Sequence, residues 1–290
     1  MVGLIRRNPT LTPLLLLAPG LLWLAAFYVA PNVQMFASSF WNGTLEGGFS
    51  FSLANWTNYP DALIKYQEQY LRSIQFGFVS TLLCFAIAFP LAYFIAFKGG
   101  RARNVLLFLV VAPFFTSYLL RTIGWRTILG DDSIILGPLK ALGVVAPEAR
   151  ILDTPFAVIA GIAYNFIPFM ILPIYVSLEK IDRRLLEAAQ DLYASGWGSF
   201  RRVTLPLVIP GIFAGSLLTF IPAIGDFINA ELLGNPGTSM IGNVIQRQFL
   251  VVRDYPTAAA LSFMLMILIL AGVALYARLL GTEELTSTAI

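Results

Sequence analysis

Six stretches of this chain are apolar over about 20 residues or more, close to what an α-helix needs to cross the hydrocarbon core of a bilayer. They run roughly Leu11–Phe40, Tyr70–Phe97, Asn104–Gly124, Thr154–Glu179, Leu207–Leu233 and Thr257–Ala277. Lipid satisfies no backbone N–H or C=O, so such runs are expected to be helices, and a barrel would instead alternate polar and apolar residues. Of the 290 residues 58% are hydrophobic and only 12% charged, against about 25% charged in soluble domains. The expected fold class is therefore an all-α integral membrane protein, a single transmembrane domain over 1–290 with lipid as its surroundings.

The composition also excludes chemistry. There is no histidine, and Cys84 is the only cysteine, so no intrachain disulfide can form, and zinc, haem and iron–sulfur sites, without their usual His and Cys ligands, are nearly excluded. The net charge of +3 sits on basic residues scattered beside apolar runs, which points to topology and not to nucleic acid. Arg6 and Arg7 precede the first run as in a signal peptide, but that run continues to Phe40 with no small-x-small cleavage site, so it reads as a retained anchor.

Several runs contain prolines: Pro19, Pro90, Pro113, Pro168, Pro173, Pro210 and Pro222. Each is either an ordinary membrane-helix proline or a kink beside a pathway. Orientation follows the basic residues. Arg6, Arg7, Lys98, Arg101, Arg103, Lys180, Arg183, Arg184, Arg201, Arg202 and Arg278 belong to one set of connections. Lys65, Arg126, Lys140, Arg150, Arg247 and Arg253 belong to the other, with acidic Glu46, Asp61, Glu68, Asp131, Asp132, Glu148, Asp153 and Asp254. The positive-inside rule places both termini and the loop 180–206 in the cytoplasm.

That loop breaks the apolar pattern without losing periodicity. Leu185, Leu186, Ala189 and Leu192 recur at helical spacing among charged neighbours, with Asp182 as N-cap. Ala188, Ala189, Ala194, Ser195 and Gly196 are small enough for another backbone to approach closely. Gly196 and Gly198 are expected to break the helix, and a second short turn, Ser199–Val203, leads into Leu205-Pro206. The result is a helix–turn–helix bracket under the membrane, either docked on a partner or simply solvated at the interface.

Glu187-Ala188-Ala189, followed by a turn and then Val203-x-Leu205-Pro206, resembles the Glu-Ala-Ala loop of membrane subunits of ATP-binding-cassette importers. The resemblance implies a coupling helix that docks on an ATPase subunit through Glu187, Ala188, Ala189, Asp191, Tyr193, Ala194, Ser195 and Gly196. Tyr193 stands where that family usually has Gly, and Gly196 is expected to supply the bend instead. "PFFTSYLLRTIGWRTIL" (Pro113–Leu129), "YNFIPFMILPIYVSLEKID" (Tyr164–Asp182), "FIPAIGDFINAELLGNPGTSMIGNVIQRQF" (Phe220–Phe249) and "RDYPTAAALS" (Arg253–Ser262) look like spermidine/putrescine importer permeases. Asn229-Ala230, where an apolar–Pro pair is expected, and Asn235, in place of a Gly, depart from that pattern.

The chain has no G-x-x-x-x-G-K-[ST] phosphate loop. It is therefore expected to hold no ATP and to carry no cofactor of its own. What the resemblance implies is a homodimeric pair of ATPase subunits holding ATP and Mg, a second homologous permease and an extracytoplasmic substrate-binding protein, in a bacterial cytoplasmic (inner) membrane. For the pathway, Asp226 weighs most, because ionisable groups inside a span usually face a cavity or a partner. Nineteen residues from Leu207, at about 1.5 Å each, put it about 28 Å up its helix. Asp226, Glu231, Tyr164 and Asn165 could line a vestibule for a cation such as a polyamine, or Asp226 could pair with Arg121 or Arg126. Tyr118 and Trp125 either stack on an alkylammonium group or belong to an aromatic belt. The alternatives are an importer permease for another small solute, a stand-alone channel or a membrane enzyme, the last with too few paired ionisable groups.

Overall fold

The computed structural model describes residues 11–44, 47–131, 133, 136–146 and 148–280. Arg6, Arg7, Glu46 and Asp132 lie outside the described residues. Among the described residues the regular structure is helical apart from one two-stranded hairpin. The described residues divide into two compact units, those up to 65 with 247–267, and those of 66–246 with 268–280.

In the first unit, helix α1 (Leu11–Leu24) runs on through a wider turn, Ala25–Val29, into Ala30–Ser38. Leu22, Trp23 and Phe27 on it are exposed, as suits a helix whose solvent is lipid. The hairpin β1 (Trp41–Thr44) and β2 (Gly48–Phe51) follows, with Trp41 opposite Phe51. Gly43 is held at φ 136°, where an added Cβ would lie 2.0 Å from the Gly48 carbonyl oxygen, so no larger residue fits. Asn58 Nδ2 donates to the carbonyls of Ser39 at 2.9 Å and Trp41 at 3.1 Å, closing the hairpin's base.

Helix α2 (Asn58–Lys98) begins twelve residues before the expected Tyr70, with non-helical torsions at Tyr66 marking a kink. Its polar first turns are helix formers that hydropathy alone could not separate from a loop. The third expected span, 104–124, is not one rod. It is α3 (Arg103–Val111), a tight turn Ala112–Phe115, an extended step at Thr116 and Ser117, and α4 (Tyr118–Leu129), bent by 95°. Pro113 has no N–H to continue the ladder, and the torsions at Thr116 and Ser117 end it. The connection to the fourth span carries α5 (Leu136–Ala141).

Helix α6 (Pro155–Glu179), capped by the Thr154 hydroxyl, begins one residue after its expected start and ends where expected. A short helix α7 (Arg183–Asp191) follows. Gly196–Ser199 and the wider turn Phe200–Thr204 then lead without interruption into α8 (Leu205–Ile224). Ser199–Val203 is thus the foot of the fifth span and not a separate turn. That span stops at Ile224 and not at Leu233, so Asp226 lies just beyond the rod, before α9 (Ile228–Leu233). The chain closes with α10 (Ile241–Arg247) and α11 (Tyr255–Leu280). Among the described residues five helices are long and apolar enough to cross a membrane, or up to six if the bent pair counts as one span.

Within the second unit the core forms where small residues let helices close. Cys84, Ala88 and Ala92, each four apart on α2, pack with Ile171, Ile174 and Leu178 of α6 and Val208 of α8. Gly211 and Gly215 bring α8 onto α6: an added Cβ at Gly211 would lie 2.3 Å from Ser177 Oγ, and one at Gly215 3.0 Å from the Met170 carbonyl. Such small-xxx-small seams replace the hydrophobic effect that lipid does not supply. The helices run on through Pro19, Pro90, Pro168, Pro173, Pro210 and Pro222, and among the prolines singled out above only Pro113 lies at a break.

Candidate functional site

Two places concentrate the polar chemistry. The first is the bracket after α6. Asp182 Oδ1 accepts from the Arg184 N–H at 3.0 Å and starts α7. The helix is strongly amphipathic: Leu186 packs against the core, Ala189 is half-buried, and Glu187, Ala188 and Asp191 are exposed. It ends at Asp191, earlier than expected, and the bend falls on Tyr193. Tyr193 adopts a left-handed φ of 57°, its N–H bonds to the Gln190 carbonyl at 2.9 Å, and the Ala194 N–H reaches the Ala189 carbonyl at 3.0 Å. These two bonds are the Schellman closure that usually takes glycine.

Gly196 therefore does not supply the bend; it opens the next helix, which Ser195 caps by accepting from the Gly198 N–H at 3.1 Å. Of the residues singled out here, Ala189 and Ala194 turn partly inward, and Glu187, Ala188, Asp191, Tyr193, Ser195 and Gly196 turn out. Tyr193 is 98% exposed, with Leu192 and Trp197 exposed beside it. An aromatic residue held in a strained torsion and fully uncovered is costly to keep in an isolated chain.

The second place is the break above α8. Asp226 is buried, and its carboxylate is spent on neighbours. Its Oδ1 accepts from the Asn229 N–H at 2.9 Å, and its Oδ2 accepts from Asn229 Nδ2 at 2.8 Å and from the Tyr118 hydroxyl. Asn229 Nδ2 also donates to that hydroxyl at 2.7 Å. On its other side Asn229 Oδ1 accepts from Asn165 Nδ2 and lies within reach of Thr122 Oγ1, both at 3.3 Å. One side chain thereby joins α4, α6 and the break.

Among the described residues no ion pair ties Asp226 to Arg121 or Arg126. Arg121 instead stands over the Tyr118 ring, 5.6 Å from its centre. The structure thus gathers Asp226, Tyr118 and Asn165 but leaves the other expected members outside. Glu231 is exposed and accepts from Asn243 Nδ2 at 3.1 Å. Trp125 meets Tyr164 edge-on at 5.3 Å and packs on Leu129, Ala157 and Leu233. Asn229 and Asn243 were missed by sequence reasoning. For Asn229 a signal existed: it was one of the departures from the expected pattern. Asn243, which also donates to the Phe227 carbonyl at 2.9 Å, gave none.

Several long apolar helices, a sharply bent helix pair, a buried polar clasp at a second break and an amphipathic bracket with exposed charged and aromatic residues are the build of a membrane transport component. The chain belongs to the family described as binding-protein-dependent transport system inner membrane component, whose model matches residues 88–280. It is a multi-pass protein of the bacterial inner membrane.

It is 40% identical over 258 residues to the spermidine/putrescine transport system permease protein PotB of Haemophilus influenzae, covering 88% of this chain and 90% of that one. PotB of Escherichia coli K12 is 41% identical over 248 residues, 84% of this chain and 89% of its own. The inner membrane ABC transporter permease protein YdcU of the same organism is 30% identical over 298 residues, 96% and 92% of the two chains. Among solved structures, a bacterial ABC transporter involved in the import of the acidic polysaccharide alginate matches at TM-score 0.69 and 20% identity, over 96% of this chain and 97% of that one. The MetNI methionine ABC transporter, in an inward-facing conformation, matches at TM-score 0.54 and 16% identity, over 73% and 93%. At these identities the structures establish a common fold.

Proposed function

We propose that this chain is the permease subunit of an ATP-binding-cassette importer that moves a polyamine, such as spermidine or putrescine, into the cytoplasm. The whole of 1–290 acts as one permease domain, with both termini and the α7 bracket inside, as the basic connections require. The chain is not an enzyme; ATP and Mg belong to a pair of identical ATPase subunits. A second, homologous permease completes the membrane part, and an extracytoplasmic binding protein delivers the substrate. The observation that carries this reading is the α7 bracket, whose outward residues leave a charged and aromatic surface for a partner. The polyamine rests on the PotB relatives, similar over most of the chain.

In operation, closure of the ATPase pair moves α7 through Glu187, Ala188, Asp191, Tyr193, Ser195 and Gly196. Helices α6 and α8, which flank it, move in turn. Coupling requires that α7 meet the ATPase differently in the two states. Asp226 carries the charge that an ammonium group would meet, after exchanging its Tyr118 and Asn229 partners, with Asn165 beside it and Tyr164, Trp125 and Glu231 on the route outside the clasp.

The test is uptake of labelled putrescine and spermidine by cells lacking their own polyamine importers, expressing this chain with its ATPase, second permease and binding protein. Accumulation that needs every component, and that Glu187→Lys abolishes without lowering the amount of inserted chain, is the expected result. No accumulation by the intact set rejects the substrate. Normal uptake by Glu187→Lys rejects the docking role of α7.

A further inference from the structure

An ion pair that belongs to neither place described above joins two helices at the root of the bracket. Arg103, the first residue of α3, bonds through Nη2 to Oε1 of Glu179, the last residue of α6. Its guanidinium carbon stands 5.2 Å from the ring centre of Tyr175. Tyr175 and Glu179 are one turn apart on α6, so ring and carboxylate present a single face to the arginine. The ring itself is buried in the core beside Leu178 and Val208.

Three features argue that this contact does more than decorate a surface. A carboxylate at a helix C-terminus opposes the helix dipole, so Glu179 is unfavourable there without a cation to answer it. α3 has no fully buried residue of its own, so packing alone grips its foot weakly. The pair also remains 35% and 44% exposed, which makes it a poor source of stability. What it does supply is a fixed distance between two helix ends.

Its position gives that distance a use. Only Lys180, Ile181 and Asp182 separate Glu179 from α7. In the other direction α3 leads through Ala112–Phe115 to the break and to Tyr118, which holds Asp226. We infer that Arg103 and Glu179 are positioning residues of the coupling step, forming a strut through which displacement of α7 re-aims the broken span. The inference rests on the proposed function and names how the bracket reaches the clasp.

The experiment compares Arg103→Glu, Glu179→Arg and the double exchange in the complete transporter, reconstituted with its ATPase, second permease and binding protein. Polyamine imported per ATP hydrolysed is measured. Each single variant is expected to lower that ratio by about fivefold or more, with the ATPase still bound. The double exchange restores most of it, because the opposite charges face each other again. A single variant with the unaltered ratio overturns the strut, and so does an exchange no better than the worse single. If charge reversal prevents assembly, Glu179→Gln, which keeps shape and removes charge, must lower the ratio by itself, and an unchanged ratio rejects the strut. If the unaltered transporter imports no polyamine while hydrolysing ATP, the proposed substrate is rejected, whereas an unaltered ratio in a single variant of a transporter that does import polyamine rejects the strut alone.

Discussion

Asn229 Nδ2 lies 2.7 Å from the Tyr118 hydroxyl and 2.8 Å from Asp226 Oδ2, so one amide bridges the start of α4 and the break after α8. The same side chain meets Asn165 of α6. Burial makes these bonds interdependent, since a polar group left alone there has no water to turn to. Asn229→Leu is therefore expected to cost about 1–3 kcal/mol, through the partners it strands. Tyr118→Phe should be non-additive with it by about 0.5 kcal/mol or more. Thermal or denaturant unfolding of the two single variants and the double reads this directly, and additive losses would show that no shared clasp exists.

Tyr193 makes two opposed contributions. Its left-handed torsion costs roughly 1 kcal/mol relative to glycine, while its ring lies uncovered. Tyr193→Gly should make the isolated chain slightly more stable and weaken its hold on the ATPase. Co-purification against salt, beside a melting curve of the chain alone, separates the two effects. A variant that loses stability would mean that the ring packs at home after all.

The α6–α8 seam has no room for a branch. At Gly211 a Cβ would also lie 2.6 Å from the Pro173 carbonyl oxygen, which cannot rotate away. Gly211→Val should destabilise by about 1–3 kcal/mol through overpacking. The readout is the melting temperature in detergent, and Gly272→Val, where a Cβ meets nothing within 4 Å, is the control. Equal behaviour of the two variants would refute the seam.

In the connection between α4 and α6, Arg150 Nε donates to Asp131 Oδ2 at 2.9 Å, and Lys140 Nζ stands 3.7 Å from Oδ1. The hydrogen bond from Arg150 holds the Asp131 carboxyl below the usual carboxylate range. A carboxyl whose folded pKa is depressed contributes stability that is complete above its unfolded value and lost as pH falls through the folded one. The group is partly exposed, so the contribution is small and sensitive to salt. Amide exchange of α5, corrected for its intrinsic pH dependence, should be faster in Asp131→Asn than in the unaltered chain at pH 7. The difference should close well below about pH 3.9, the ordinary aspartate value. A difference that persists there would assign the effect to packing.

Length and apolarity made the long rods legible: α6 lies one residue from its expected start, and α1 and α11 lie within three residues of theirs. Chain order and charge likewise exposed α7 and its Asp182 cap, because a cap and an amphipathic face are written in neighbouring residues. Hydropathy was silent about the polar first turns of α2. It also ran through Thr116, Ser117 and Gly225, where the backbone leaves the helix although the side chains stay compatible with a span. The bend at Tyr193 was misplaced onto Gly196 because glycine is the commoner solution, while the torsion itself is enforced by bonds to Ala189 and Gln190.

Periodicity and composition by themselves determined a helical membrane bundle with a charged bracket between its fourth and fifth spans, because burying backbone in lipid permits little else. Only the tertiary structure decided which polar residues face one another. Tyr118, Asn165 and Asn229, and separately Arg103 and Glu179, lie tens of residues apart along the chain. Their meeting depends on where two helices break and how closely the others pack, which no local pattern encodes.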